Sequence, residues 1–389
     1  MKGYKSENIR NIALVGHGGC GKTTFLEAAL LATGVISRLG KVEDGNTVSD
    51  HDKMEIEKGY SISTSIVPVE YKNVKINFID TPGFFDFVGE VNSALRAVEA
   101  AAIVVDASAG IQVGTEKAWN SCKEFGVPKF FLINKTDKEN VDVDKTIDEL
   151  KSKFGTSVVT LDDKDALTEA IAETDEELME KFFSGEEFTD EEFNGGLSKG
   201  IGAGDIVPVL NCSSITGDGV EDVLGKFIDL VPKAKDHEDY DAKNDADEDI
   251  KVKVDPAGKP AAFVFKTIAD PFLGKISLAK VISGTLKAGQ EIYNSRAEKA
   301  EKLGAMFFMR GKNQEVAPVV EAGDSVAIAK LQFTKTGDTL CEKANIIKFP
   351  PVKFPAPALY IAIEPADKGD DEKMGTGLHK LMEEDPSFV

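Results

Sequence analysis

Positive charge is in short supply in this chain. Against 67 aspartates and glutamates stand 46 lysines and arginines, a formal net charge of -21 over 389 residues. Contact with a phosphate backbone needs lysine and arginine spread over a face. A broad nucleic-acid-binding surface is therefore excluded, although local basic patches are not. Cysteine is scarce too. Cys20, Cys122, Cys212 and Cys341 are scattered and form no C-x-x-C pair, which argues against a disulfide framework or a zinc site and for a reducing compartment. No apolar run approaches the ~20 residues of a membrane span. The short run "IALV" near the N-terminus is broken at once by Gly16 and His17, so it reads as a core strand rather than a secretion signal. These features lead us to expect a cytoplasmic monomer with no membrane partner and no direct sequence-specific nucleic-acid partner.

What the chain does have is 42% hydrophobic residues and enough length for two or three domains. Strand-like and helix-like segments alternate through the first part. "NIALVG" is followed by the helical "KTTFLEAALLATG"; "SISTSIVPVEY" and "VKINFID" read as strands. Helical "VGEVNSALRAVEA", "GTEKAWNSCKEFG" and "DKTIDELKSKFG" are interleaved with the strands "AAIVVDA" and "KFFLINK". "DIVPVLNCSS" and "VEDVLGKFIDLVP" close the unit. Such β-α alternation implies a mostly parallel sheet covered on both faces, here over residues 1–235. Residues 155–204 form an acidic insert in which "TDEE" occurs at 174–177 and at 189–192, a capping-box spelling that predicts two surface helices. Residues 236–255 open with eight acids and one lysine in fourteen residues, a composition that repels itself and predicts a linker. Short alternating strands with Gly turns over 256–350 predict an antiparallel β-barrel. Over 351–389, "LYIAIEPAD" predicts a strand and "DDEKMGTGLHKLMEED" a helix, a piece too small to bury its own apolar faces and so the start of a partial α+β third domain.

Four short motifs carry the chemistry. "GHGGCGKT" at 16–23 matches G-x-x-x-x-G-K-[ST]. Gly16 and Gly21 allow backbone angles that let successive amides face a phosphate, Lys22 reaches the β and γ phosphates, and the Thr23 hydroxyl suits Mg²⁺. "DTPG" puts Asp80 at a strand end, where it can hold the magnesium through water, and the Gly83 amide where it can sense a γ-phosphate. "NKTD" at 134–137 offers Asp137, whose carboxylate can accept both donors of a guanine edge; adenine presents no such pair. "NCSS" at 211–214 offers Ser213 to close the base pocket. Any one motif is weak, but four in this order, each after a strand, are specific. The candidate nucleotide-binding set is Gly16, His17, Gly18, Gly19, Cys20, Gly21, Lys22, Thr23, Thr24, Asn134, Lys135, Asp137, Ser213 and Ser214, with GTP or GDP and Mg²⁺ as cofactors.

With these motifs in place, the sequence resembles the translation-factor GTPases, and specifically elongation factor G, over essentially the whole chain. "EIEKGYSIS" at 55–63 is similar to the end of the family's switch I, which places Ser61 on its magnesium-binding threonine. Thr23, Ser61 and Asp80 are then the metal set. "FKTIADPFLGKISLAKVISGTLKAGQEIYNS" resembles the second-domain barrel, and "IAIEPADKGDDEKMGTGLHKLMEEDPSF" the opening of the third domain. The resemblance implies a chain truncated within that domain. The short insert suggests a divergent paralogue.

The implied function is GTP binding and hydrolysis coupled to the ribosome, in translocation or a related step. Alternatives are a non-hydrolysing GTP sensor that docks on ribosomes, and a ribosome-protection factor of the tetracycline-resistance kind. Lys22 and Gly83 would serve catalysis. Three departures surround the γ-phosphate: Gly18 and Gly19 replace Val and Asp, Tyr60 replaces Ile, and Phe84 replaces the His that orients water. A phenyl ring cannot hydrogen-bond a water as imidazole does. Phe84 therefore either packs on Tyr60 in a resting loop or marks slowed hydrolysis.

Overall fold

The computed structural model describes all residues except Met1, Lys2, Glu238, Pro271, Phe272, Ala358, Ala366, Lys368 and Val389. The first part is an α/β unit. Strands β1 (Ile9–Gly16), β2 (Ser65–Tyr71), β3 (Val74–Asp80), β4 (Ala100–Asp106), β5 (Lys129–Asn134), β6 (Val158–Thr160) and β7 (Val207–Asn211) form one sheet in the order β2-β3-β1-β4-β5-β7-β6. All neighbours pair parallel except β2, which runs antiparallel to β3. The near-continuous apolar strands follow from burial on both faces.

Successive strand residues point to opposite faces, and each face has its helices. Ile12 and Leu14 of β1 face α1 (Lys22–Ala32), whose Phe25, Leu26 and Leu30 are fully buried. Ala13 and Val15 face the other core layer, with Ala94 and Leu95 of α3 (Val88–Leu95). A short α2 (Lys53–Lys58) precedes β2 and has no periodic signal in sequence; a capping box between Asp52 and Glu55 starts it. Helices α4 (Val113–Glu124) and α5 (Val143–Phe154) join the α3 layer through Ala118, Cys122 and Leu150.

The insert differs from the expected pair of helices. It contains β6 and three helices, α6 (Lys164–Ala172), α7 (Glu176–Ser184) and α8 (Asp190–Ala203). The second capping box forms as spelled, between Thr189 and Glu192. The first does not. Asp175 caps α7 by accepting from the Glu177 amide, while the Thr174 hydroxyl donates back to Ile171 O at 2.8 Å. Two adjacent capping residues compete for one helix start, and the sequence alone does not rank them. The unit closes with α9 (Val220–Leu230), packed beside α1 through Val223, Leu224 and Phe227.

The acidic stretch 236–255, expected as a linker, is not one. It holds the hairpin β8 (Tyr240–Asn244) and β9 (Asp249–Val252). Asp241 and Lys243 flank the buried Ala242, and Lys251 and Lys253 flank the buried Val252, so the pleat sorts charge to one side, while Asp245, Asp247 and Glu248 lie between the two strands. Composition averages over that alternation. The barrel follows with β10 (Ala261–Asp270), β11 (Gly274–Ser283), β12 (Thr285–Lys287), β13 (Glu291–Asn294) and β14 (Lys299–Lys302). It continues with β15 (Met306–Arg310), β16 (Asn313–Val316), β17 (Val319–Glu321), β18 (Ser325–Ala329), β19 (Thr339–Cys341) and β20 (Ile347–Lys348). Eight of these form an antiparallel sheet in the order β14-β13-β19-β10-β11-β18-β15-β16; β12 pairs with β17, and β20 pairs with β8.

In the segment 359–367, expected as a strand, residues 359–365 form no strand and Ala366 lies outside the described residues. Leu359, Tyr360 and Ile361 are exposed. The last helix, α10 (Asp371–Glu384), lies against β10: the Ala269 amide donates to Glu384 Oε1 at 2.6 Å, and Lys275 pairs with Glu383 at 2.9 Å. Leu381 and Met382 remain exposed.

The barrel meets the α/β sheet through a buried polar chain. Lys280 on β11 donates to Glu99 Oε1 at 2.6 Å, with both side chains fully buried. Glu99 Oε2 accepts from Asn11 Nδ2 at 2.6 Å, and Asn11 Oδ1 accepts from Asn77 Nδ2 at 2.8 Å. Asn77 also reaches Asp324, which takes two 2.8 Å bonds from the ammonium of Lys75. The Phe308 ring lies under that ammonium at 3.5 Å. Removing one partner of such a pair strands a buried charge. Lys280→Met should therefore destabilise the protein by about 3–5 kcal/mol in urea unfolding, and adding Glu99→Gln should recover part of the loss.

Candidate functional site

At the carboxyl ends of β1, β3, β5 and β7 the four motifs come together. Glycine is required at two places in the first. Gly16 has φ of 137° and a Cβ there would stand 2.5 Å from Val104 O; Gly21 has φ of 99° and a Cβ would stand 2.3 Å from Asn134 Nδ2. The loop between them is open at Gly19 and delivers Lys22, Thr23 and Thr24 as the first turn of α1. The Lys22 ammonium is buried and donates to Gly16 O at 3.2 Å and His17 O at 3.1 Å, so it lies across the loop. The Cys20 thiol is buried 3.9 Å from it. His17 packs against Gly114 at the start of α4, where a Cβ would meet its ring at 2.8 Å.

A second corner gathers oxygen. Thr23 Oγ1 donates to Asp80 Oδ2 at 2.7 Å and lies 3.3 Å from Ser61 Oγ. Ser49 Oγ donates to the same Asp80 oxygen at 2.9 Å. The other Asp80 oxygen, Oδ1, and Asp50 Oδ2 are buried with no hydrogen-bond partner. Burial first, then the charge of Asp80, pushes the Asp50 carboxyl up to about 7. Burial likewise raises Asp80, against the pull of Thr23, Lys22 and Ser49. Two buried carboxylates, each with an orphan oxygen, beside three hydroxyls form a hard oxygen set that fits a divalent cation such as Mg²⁺. Among the described residues no three His, Cys, Asp or Glu side chains converge. A cation here would thus take its remaining ligands from phosphate and water, as Mg²⁺ does in nucleotide sites.

The third corner is organised by Asn134. Its Nδ2 donates to Gly21 O at 3.2 Å, while its Oδ1 accepts from the Lys135 amide at 2.8 Å, the Ser214 amide at 3.1 Å and the Ser214 hydroxyl at 2.8 Å. One buried amide thus ties three loops. Lys135, at a positive φ of 64°, sends its ammonium to Gly19 O at 2.6 Å and Asp106 Oδ2 at 2.7 Å. Burial works against the Asp106 charge, but Lys135 and Ser108 outweigh it and hold the carboxyl down at about 2. Asp137 stands exposed beyond β5 with Oδ1 held by Ser213 Oγ at 2.6 Å. Asp137 is thereby held against the serine loop.

Phe84 and Tyr60 meet with ring centroids 4.6 Å apart, and a Cβ on Gly18 would touch the Phe84 ring at 3.5 Å. A valine at Gly18 would carry its methyls into that ring. Gly83 sits as close below: a Cβ there would fall 2.6 Å from both Gly18 Cα and Lys22 Nζ. The departures at Gly18, Tyr60 and Phe84 are therefore one packing unit. Phe85 points elsewhere, under the Lys117 ammonium at 3.7 Å.

The comparisons agree with this geometry. The family model "Elongation factor Tu GTP binding domain" matches residues 7–233, more than half of the chain. The chain belongs to the translation-factor GTPases. Models of elongation factor G domain 2 and domain III match residues 259–343 and 354–389, so the member it resembles is elongation factor G. A crystal structure of a protein from Thermus thermophilus superposes with a TM-score of 0.85 at 29% identity, over 98% of this chain and 61% of that one. The chain thus spans about three-fifths of that relative's length. As in its family, the α/β unit is a guanine-nucleotide-binding domain of GTPase type. Among the described residues no helix is long and apolar enough to cross a membrane.

Sequence reading overlooked three residues of this GTPase site. Ser49 and Asp50 sit in a loop with no periodicity, and only the fold brings them to Asp80. Glu27, on the buried face of α1, accepts from the Gly40 amide at 3.1 Å and the Val48 amide at 2.6 Å and so anchors that loop. An acid in an otherwise apolar helix face, "KTTFLEAALLA", was the available signal. Removing an outer carboxylate of a metal site costs about 10–100-fold in metal affinity. Asp50→Ala should raise the Mg²⁺ concentration needed for half-maximal GTP binding by about tenfold, read by fluorescent-nucleotide titration, with an unchanged far-ultraviolet dichroism spectrum.

Proposed function

We propose that this chain binds GTP with Mg²⁺ and couples the bound state to the ribosome, as a cytoplasmic, monomeric factor of elongation factor G type acting in translocation or a related step. The division of labour follows the architecture: residues 1–235 bind nucleotide, 256–350 form the second domain, and 351–389 open a third. The carrying observation is the Asp137 corner. An exposed carboxylate steadied by Ser213, on a loop tied by Asn134 to the phosphate loop, suits the two donors of guanine and no pair on adenine. Thr23, Ser61 and Asp80 would hold Mg²⁺, which when bound neutralises charge between the β and γ phosphates. Lys22 would exchange its two loop carbonyls for phosphate oxygens, and the Gly83 amide would face the γ-phosphate.

Guanine reading is tested by Asp137→Asn, which sets a donor against a donor. GTP affinity should fall by about 3 kcal/mol, roughly two orders of magnitude, while xanthosine triphosphate binding improves. Equal binding of GTP and ATP by the unmodified protein would remove the reading.

A second reading, a GTP sensor with little turnover, is favoured by the packing of Phe84 on Tyr60 and Gly18. Loss of a water-orienting group costs about 10²–10⁴-fold in rate. Single-turnover hydrolysis should accordingly be slow without ribosomes. Phe84→His together with Gly19→Asp should recover more than either alone, because a catalytic group acts with its supports. Fast turnover by the unmodified protein on ribosomes would show that another group orients the water.

A further inference from the structure

The barrel reaches into the nucleotide site through one side chain. Lys266 lies on β10 just past a register shift against β11 between Val264 and Lys266, a bulge of the kind that re-aims a side chain. It is 5% exposed, and its ammonium donates to Ser63 Oγ and to the carboxylate of Glu90. Ser63 lies two residues after Ser61, at the end of switch I. Glu90 lies on α3, seven residues after Gly83 in switch II. Glu90 also accepts from the Thr64 amide, and the Thr64 hydroxyl donates to Glu90 O at 3.3 Å. Burial opposes the charge of Glu90, but Lys266 and Thr64 outweigh it and keep its carboxyl below the usual range. One ammonium from the second domain thus joins the ends of both switches.

A second contact braces the other end of the same loop. Gly311, in the turn between β15 and β16, donates its amide to Ile66 O at 3.3 Å, and a Cβ there would fall 1.9 Å from Val48 O. Arg310 Nε donates to Pro68 O at 3.2 Å. Val48 immediately precedes Ser49 and Asp50. The barrel therefore bonds the chain just after the Ser61 hydroxyl, at Ser63, Ile66 and Pro68, and its turn at Gly311 lies against the Val48 carbonyl just before Asp50. Between these points Glu55 Oε1 accepts from the Ile62 and Ser63 amides, both at 3.0 Å, which keeps Ser61 turned toward Thr23.

We propose that Lys266 is a positioning residue for the triphosphate-bound state, holding Ser63 of switch I and Glu90 of switch II in one register so that Ser61 and Asp80 face the same cation. Lys266 touches neither nucleotide nor metal in this role. The inference rests on the nucleotide reading above. It predicts selectivity, because the switches contribute to a γ-phosphate and its cation and much less to a diphosphate.

The test compares GDP with the non-hydrolysable analogue GMPPNP, by titration calorimetry on the full chain at fixed Mg²⁺. Lys266→Met should weaken GMPPNP about tenfold and leave GDP within about twofold, a coupling in the range typical of linked sites. The Mg²⁺ midpoint for GMPPNP should rise in parallel, and Lys266→Arg should restore part of the loss. A general weakening of the fold would lower both nucleotides together. If Lys266→Met unfolds, Ser63→Ala removes only a hydroxyl and should still show a two- to fivefold loss for GMPPNP alone. Equal losses for the two nucleotides, or no loss, with normal binding by the unmodified protein would overturn this inference alone. Failure of the unmodified protein to bind GMPPNP would overturn the nucleotide reading together with it.

Discussion

Burying Lys280 and Lys75 against Glu99 and Asp324 is the constraint on which the arrangement of this molecule depends. Taking two ammonium groups fully out of water is unfavourable, and apolar residues of similar size would serve stability as well or better. What the charges contribute is geometry. A purely apolar contact between sheet end and barrel tolerates sliding, whereas Glu99 must meet Lys280 with one oxygen and Asn11 with the other. Displacing the barrel by a few ångströms would leave several buried groups unpaired at once. The barrel is thereby set in one place. Only from that place can Lys266 reach Ser63 and Glu90, and the turn at Gly311 reach Val48.

The nucleotide site shows the same economy of ties. Asn134 closes the 16–23 loop, its own loop up to Asp137 and the serine loop around one buried amide, so none of the three can relax alone. The cation corner is the opposite case. Asp50 and Asp80 are buried close together, each with an oxygen left without a partner. Their repulsion is a local cost that a divalent cation would relieve, and filling of the site would then be linked to the order of the loop that carries Asp50.

Gly18, Tyr60 and Phe84 read separately as three unrelated departures from the family pattern. In three dimensions they are one substitution. The ring at Phe84 sits where a β-branched residue at Gly18 would project, and Tyr60 covers its far side. Any account of turnover in this translation-factor GTPase has to treat them together.

The fold class and the family were legible in the sequence, and the motif residues read there come together in the structure at the carboxyl ends of four strands. Those motif features are local: a glycine with a forced backbone angle, a lysine at the first position of a helix, or an aspartate after a buried strand is set within a few residues of its motif. Local composition also misled. The acids of 236–249 read as a linker because averaging hid the pleat that buries Ala242 and Val252, and residues 359–367 read as a strand although a strand exists only with a partner. Asp50, Glu90 and Lys266 were invisible, and Glu27 showed only as an acid on an apolar helix face, for a different reason. Their roles are set by partners 13 to 203 positions away, from Gly40 for Glu27 to Ser63 for Lys266. A side chain's chemistry is written in its residue, but which oxygen it faces is decided only when sheet, switch loops and barrel are packed together.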